Sequence, residues 1–138
     1  VKELEKFIDS FPDHQQANIA YAKHEIFFEP EKAIHRISIG EDKKTLLELK
    51  EDFEVIRSFM GTEFDLNSKS GELLNLIKLN LLSGQAQLAI DNIIESVSKD
   101  INYLDGIARK LGIALFHIWG QQANITKENR KLFDMAIW

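Results

Sequence analysis

The chain has no cysteine among its 138 residues. That removes disulfides, thiolate metal sites, CxxC redox pairs and cysteine nucleophiles together. Long apolar runs are missing as well. None approaches the roughly 20 residues that span a bilayer, and the opening VKELEKFIDSF lacks the basic and apolar blocks of a signal peptide. Basic clusters are equally scarce. The 17 Lys and Arg face 22 Asp and Glu, for a net charge of −5, and gather no further than pairs such as Lys43–Lys44 and Arg109–Lys110. A nucleic-acid binder needs a basic face to displace phosphate counterions. Neither nucleic acid nor membrane is therefore an expected partner, and the chain reads as soluble and cytoplasmic.

Motifs for chemistry are missing too. No GxxxxGK(S/T), GxGxxG or GxSxG occurs, so there is no phosphate cradle and no nucleophile elbow. The stretch HEIFF at His24 is not HExxH, so the paired-His zinc arrangement on one helical face is missing, and no cysteine can complete a site. Acidic neighbours such as Glu41–Asp42 and Glu51–Asp52 point apart on a helix and suit a solvated face. His24 and His117 read as core or boundary packing residues rather than catalysts. No enzyme, cofactor or metal is expected.

What remains is helical. Two prolines and seven glycines leave long stretches unbroken, 44% of the residues are hydrophobic, and apolar positions recur every three or four residues. The pattern predicts helices over about Lys2–Ser10 (Leu4, Phe7, Ile8, Phe11), His14–Phe28 (Ala17, Ala20, Tyr21, His24, Phe28 on one face), and from Pro30 to a stop at Gly40. Further helices follow over about Lys43–Met60, Glu72–Leu82, Gln85–Lys99, Tyr103–Trp119 and Thr126–Ile137, with Thr126 as N-cap. GTEFDLNSKSG, residues 61–71, has no period and reads as a loop. About eight helices with mostly short turns force antiparallel neighbours, and the length suits a single domain, 1–138. Most of the nine Phe fit the core. The pair Phe27–Phe28 cannot bury both rings on one stripe, which leaves one ring for a partner or neighbour. The acidic excess lies wholly in residues 1–69, with 15 acidic and 10 basic side chains against 7 of each in 70–138.

Stacked repeats would change the meaning of every helix in them. Leu73, Leu76, Ile77 and Asn80 have the spacing of the packing positions on the first helix of a tetratricopeptide repeat. Gly84 falls at its turn, and Ala89, Ile93 and Ser96 match the second helix. Ala89 is where two antiparallel helices cross closely, and Gly84 turns the backbone at no Cβ cost. Asn80 stands where an aromatic is usual, Leu73 where Trp is frequent, and Ile101 where Pro is common. A partial copy lies in Ala17, Ala20, Tyr21 and His24 followed by Ala33 and Ile37. Gly112, in mid-helix, predicts close approach by a neighbouring helix.

GQAQLAIDNIIESVSKDINYLDGIARKLGIALFHIWG and TKENRKLFDMAIW resemble the C-terminal helical domain of the thioredoxin-like co-chaperones, in which a thioredoxin-fold domain precedes tetratricopeptide-type repeats. Lys99–Asp100, Tyr103, Asp105–Gly106, Ala108–Arg109–Lys110, Leu115–Phe116, Gly120, Asn129–Arg130–Lys131 and Trp138 carry the resemblance. It covers 70–138 well and 14–60 loosely. The resemblance implies a short right-handed solenoid of antiparallel helix pairs, a chaperone or client as partner, a natural end at Trp138 and a thioredoxin-like domain upstream. The start at Val1, already within an amphipathic pattern, agrees with that last implication.

The expected function is protein interaction. Gln15, Asn18, Glu25, Asn75 and Lys78 project from first helices and are either groove-lining or simply solvated. Leu74 and Glu25 stand where a carboxylate-gripping groove needs polar or cationic donors, so that mode is not expected. The alternative is a homo-oligomerising or spacer domain. The last helix carries Leu132, Phe133, Met135, Ile137 and Trp138, too many for one stripe, which makes Phe133, Ile137 and Trp138 the candidate contacts of a homodimer.

Overall fold

Apolar residues spaced by three and four can share one buried face only on a helix. The structure, a computed structural model, describes residues 2–38 and 43–138. Among these it contains eight α-helices and no strand: α1 Lys2–Ser10, α2 Gln15–Glu25, α3 Pro30–Ile37, α4 Lys43–Met60, α5 Lys69–Leu82, α6 Ala86–Lys99, α7 Ile107–Trp119 and α8 Asn124–Ile137. The all-α class read from the periodicity is the class observed. The expected stop at Gly40 and the pair Glu41–Asp42 lie outside the described residues.

The chain divides into two compact units, residues 1–57 and 58–138. In the first, α2 and α3 form the most extensive helix pair. Ala17, Ala22 and Ile26 meet Ala33 and Ile37 in its core, all of them buried. Pro30 opens α3, where its missing N–H costs nothing. The buried face of α2 is not the expected one. Ala20, His24 and Phe28 point to solvent, and the inward line runs through Asn18, Ala22 and Ile26. Asn18 is the reason. A buried amide with its bonds satisfied replaces an apolar residue, so apolar spacing alone cannot find that face.

In the second unit α5 and α6 form a hairpin. Leu74, Ile77 and Leu81 of α5 are buried, as are Ala89, Ile90, Ile93 and Val97 of α6. Each of these Leu, Ile and Val side chains contributes about 1.5–3 kcal/mol by leaving water. Leu76, expected in the packing face, is 43% exposed. Gly84 turns the hairpin at φ +71°, while the Gln85 N–H closes on the Asn80 carbonyl at 2.9 Å. Residues 61–68 are irregular as expected, but α5 starts at Lys69, three residues before the predicted Glu72, because Ser68 caps it by accepting from the Gly71 N–H at 3.0 Å. A Cβ on Gly71 would stand 2.1 Å from the Asp65 carbonyl oxygen, so only glycine allows that loop to fold back.

The α7 segment is buried over most of its surface, with Arg109, Lys110 and His117 left exposed. It starts at Ile107 rather than Tyr103, because Leu104, Asp105 and Gly106 successively take positive φ and so cannot continue a right-handed helix. Gly112 packs as predicted, its missing Cβ leaving room for Phe133 of α8 and for Ile93 of α6. The α8 helix begins at Asn124 with Ala123 at the cap, two residues before the predicted start. Thr126 is therefore not an N-cap. It lies inside the first turn, buried, and its Oγ1 has no hydrogen-bond partner among the described residues.

Candidate protein-interaction surfaces

Asn18 and Glu25 of the first unit belong to an internal network rather than an open groove. Arg36 of α3 donates to both Glu25 oxygens, at 2.9 and 3.2 Å, and to Asn18 Oδ1 at 3.2 Å. Asn18 Nδ2 in turn donates to the Pro12 and His14 carbonyls, each at 2.9 Å. The Glu25 side chain keeps only 8% exposure, so its charge is matched inside the unit. The Arg36 guanidinium lies 4.5 Å over the Tyr21 ring, whose hydroxyl donates to Glu5 at 3.0 Å. Charge-assisted bonds of this kind hold α2 against α3.

The same contacts shift two protonation equilibria. Arg36 is raised above its ordinary value, chiefly by the hydrogen bond to Glu25. Tyr21 is raised chiefly because its hydroxyl donates to the Glu5 carboxylate, with partial burial and the charges of Glu5 and Glu25 adding and Arg36 opposing. Arg36 and Tyr21 were missing from the sequence reading as site residues. Nothing in the spacing shows that a cation on α3 reaches two polar positions on α2. Of the three groove candidates in this unit, Gln15 alone is half-exposed without a side-chain hydrogen bond among the described residues.

In the second unit Lys78 also turns inward. Its ammonium donates to the Thr62 carbonyl and lies 5.0 Å from the centre of the Phe64 ring, which itself packs on Phe59 with ring centres 5.1 Å apart. Lys78 thus fastens the 61–68 loop to α5. Asn75 is half-exposed and sits among Leu76, Leu79 and Leu82, which are 43%, 50% and 38% exposed. Three- and four-residue spacing puts these side chains on one side of α5, away from the face that meets α6. Sequence reading placed Leu76 in the core and so missed this stripe.

The three oligomer candidates divide. Phe133 is fully buried, stacked edge-on to Phe116 with ring centres 5.3 Å apart, and has no surface to offer a second copy. Ile137 is half-exposed and Trp138 fully exposed, and the outer side of α8 adds exposed Leu132 and Met135. Phe28 leaves its ring largely in solvent while Phe27 is half-covered, as their adjacency required. His24 and His117 are exposed, not core residues, because the apolar lines of α2 and α7 pass on the other side. Among the described residues no group of three or more His, Asp or Glu could hold a metal ion, and no helix is long and apolar enough to cross a membrane.

Residues 72–137 match a family model described as tetratricopeptide repeat. The matched segment covers α5 from its first turn through α8, which supports a tetratricopeptide repeat domain in the second unit. No curated protein and no solved structure matches the chain.

Proposed function

We propose that the chain is a protein-interaction module that presents the outward side of α5 to a partner protein. The match of residues 72–137 carries this reading, since tetratricopeptide repeats generally mediate protein–protein interaction. The side of α5 bearing Asn75, Leu76, Leu79 and Leu82 supports it. Three neighbouring leucines left in water at this spacing form a patch rather than scattered exposure, and the Asn75 amide supplies a polar contact within it. The resemblance of 70–138 to the thioredoxin-like co-chaperones extends the proposal, making the partner a chaperone or its client.

Affinity capture tests this with the wild-type chain and two variants, Asn75→Ala and Leu79→Asp, each checked for unchanged helicity. Both variants are expected to lose most of what the wild type recovers. Chaperonin subunits among the recovered proteins support the narrower partner. Equal recovery by all three chains removes α5 as the binding surface.

A second reading rests on α8. Leu132, Met135 and Trp138 are 57%, 67% and 97% exposed at three-residue spacing, which suits burial against a second copy. Sedimentation over a concentration range separates the readings. A dimer lost on Trp138→Ala supports self-association, and a monomer at every concentration removes it.

A further inference from the structure

The corner between α1 and α2 is built around a histidine in an unusual place. Helix N-caps favour Asn, Asp, Ser and Thr, whose side-chain oxygens accept from the first free N–H groups. Here the cap is His14, in extended backbone at φ −73° and ψ 106°. Its Nδ1 accepts from the Ala17 N–H at 3.1 Å. The His14 carbonyl accepts the Asn18 N–H at 3.1 Å and Asn18 Nδ2 at 2.9 Å, and the His14 N–H donates to the Phe11 carbonyl at 3.1 Å. The imidazole meets the Phe7 ring edge-on, with centres 5.0 Å apart.

We propose that His14 makes the start of α2 proton-sensitive, so that acidification uncaps the helix and loosens Gln15–Asn18. The reason is one lone pair. Neutral imidazole offers Nδ1 as an acceptor, whereas imidazolium carries a hydrogen on both nitrogens and turns a donor toward the Ala17 N–H. The added charge would also face the positive end of the α2 dipole, and no acidic residue lies in the first turn to offset it.

The surrounding charges do not rescue the cap. The charged residues of α1 and of the turn are Lys2, Glu3, Glu5, Lys6, Asp9 and Asp13. None forms an ion pair with His14 among the described residues, and Glu5 is engaged by Tyr21. On α2 the first charged side chain is Lys23, more than two turns away. His14 is exposed, so solvent protons reach it without an opening of the fold. Uncapping also removes one carbonyl from the hold on Asn18, coupling the proton to a polar position at the α2–α3 contact.

Backbone NMR from pH 8 to 5, the range in which imidazoles titrate, tests the device. In the wild type, the Ala17 amide proton should move toward its non-hydrogen-bonded shift, and Cα shifts of residues 15–18 should move toward coil. Both should follow the His14 ring titration with one midpoint. His14→Asn supplies an oxygen cap that does not titrate, and should hold these shifts constant. Substituting the exposed His24 by Gln should leave the wild-type response intact. An Ala17 resonance that stays flat while His14 titrates overturns the proposal, and so does an unchanged response in His14→Asn.

Discussion

Gly112 occupies mid-helix in α7, where glycine costs about 1 kcal/mol against alanine. The space it leaves is taken by Phe133, whose ring edge would lie 2.4 Å from an added Cβ. Because Phe133 is fully buried and stacked on Phe116, the ring has nowhere to retreat. Gly112→Ala is therefore expected to lower stability in urea by about 1–2 kcal/mol, overpacking outweighing the gain in helix propensity. Gly84→Ala should also destabilise, but by a different route: nothing lies within 4 Å of its added Cβ, and the cost is the positive φ alone. Tyr21 gives a pH test. Its folded value is raised above the ordinary 10.0 by the bond to Glu5. The linked stabilisation is thus fully present below pH 10 and is lost as pH rises through the higher folded value. Tyrosinate absorbance should show a late-titrating component that disappears in Tyr21→Phe. At this scale the sequence was readable where a residue broke a local rule. Gly112 announced close packing because glycine is costly there. Arg36 and Lys78 broke no local rule, and their roles depend on which atoms the fold brings into hydrogen-bond contact.

Helices α1 and α4 run from Lys2 to Ser10 and from Lys43 to Met60, the ranges their apolar spacing predicts. Starts set by capping or left-handed residues were harder. The first turn of α5 carries no large apolar side chain and that of α8 only Ile125, and α7 begins only after three residues of positive φ, so hydrophobic period marks none of these starts. The order of helices in the second unit is reinforced by polar pairs that periodicity also passes over. Asn92 of α6 donates to Asn80 of α5 at 2.8 Å, and Gln87 of α6 exchanges two amide bonds with Asn129 of α8 at 2.8 and 2.9 Å. These pairs hold α6 in register with both neighbours, since a slipped helix would leave buried amides unpaired. A double-mutant cycle on Asn80 and Asn92 checks this. Each single change to Ala should cost about 1–3 kcal/mol, and the double mutant less than the sum of the two. Strict additivity would show that the pair is not coupled.

For the molecule as a whole, helix class and the repeat-like character of the second half were legible because both follow from spacing. The proposed binding surface was not, since it is defined by which leucines the core leaves out. Leu76 has the spacing of a core residue, yet the fold puts Leu74 inside and Leu76 in water. The same holds for α8, where Phe133 went inward and left Leu132, Met135 and Trp138 outside. Two exposed apolar surfaces thus stand as the proposed contacts, α5 for a foreign protein and α8 for a second copy. Site-specific photo-crosslinking distinguishes them in one experiment. A photoreactive residue is placed at position 79 in one sample and at 135 in another, with the chain held in its native extract. The expected result is a discrete adduct with a different protein from position 79, abolished by Asn75→Ala. Adducts of twice the chain mass from position 135, with none from 79, would contradict the protein-interaction reading of α5 and establish self-association in its place.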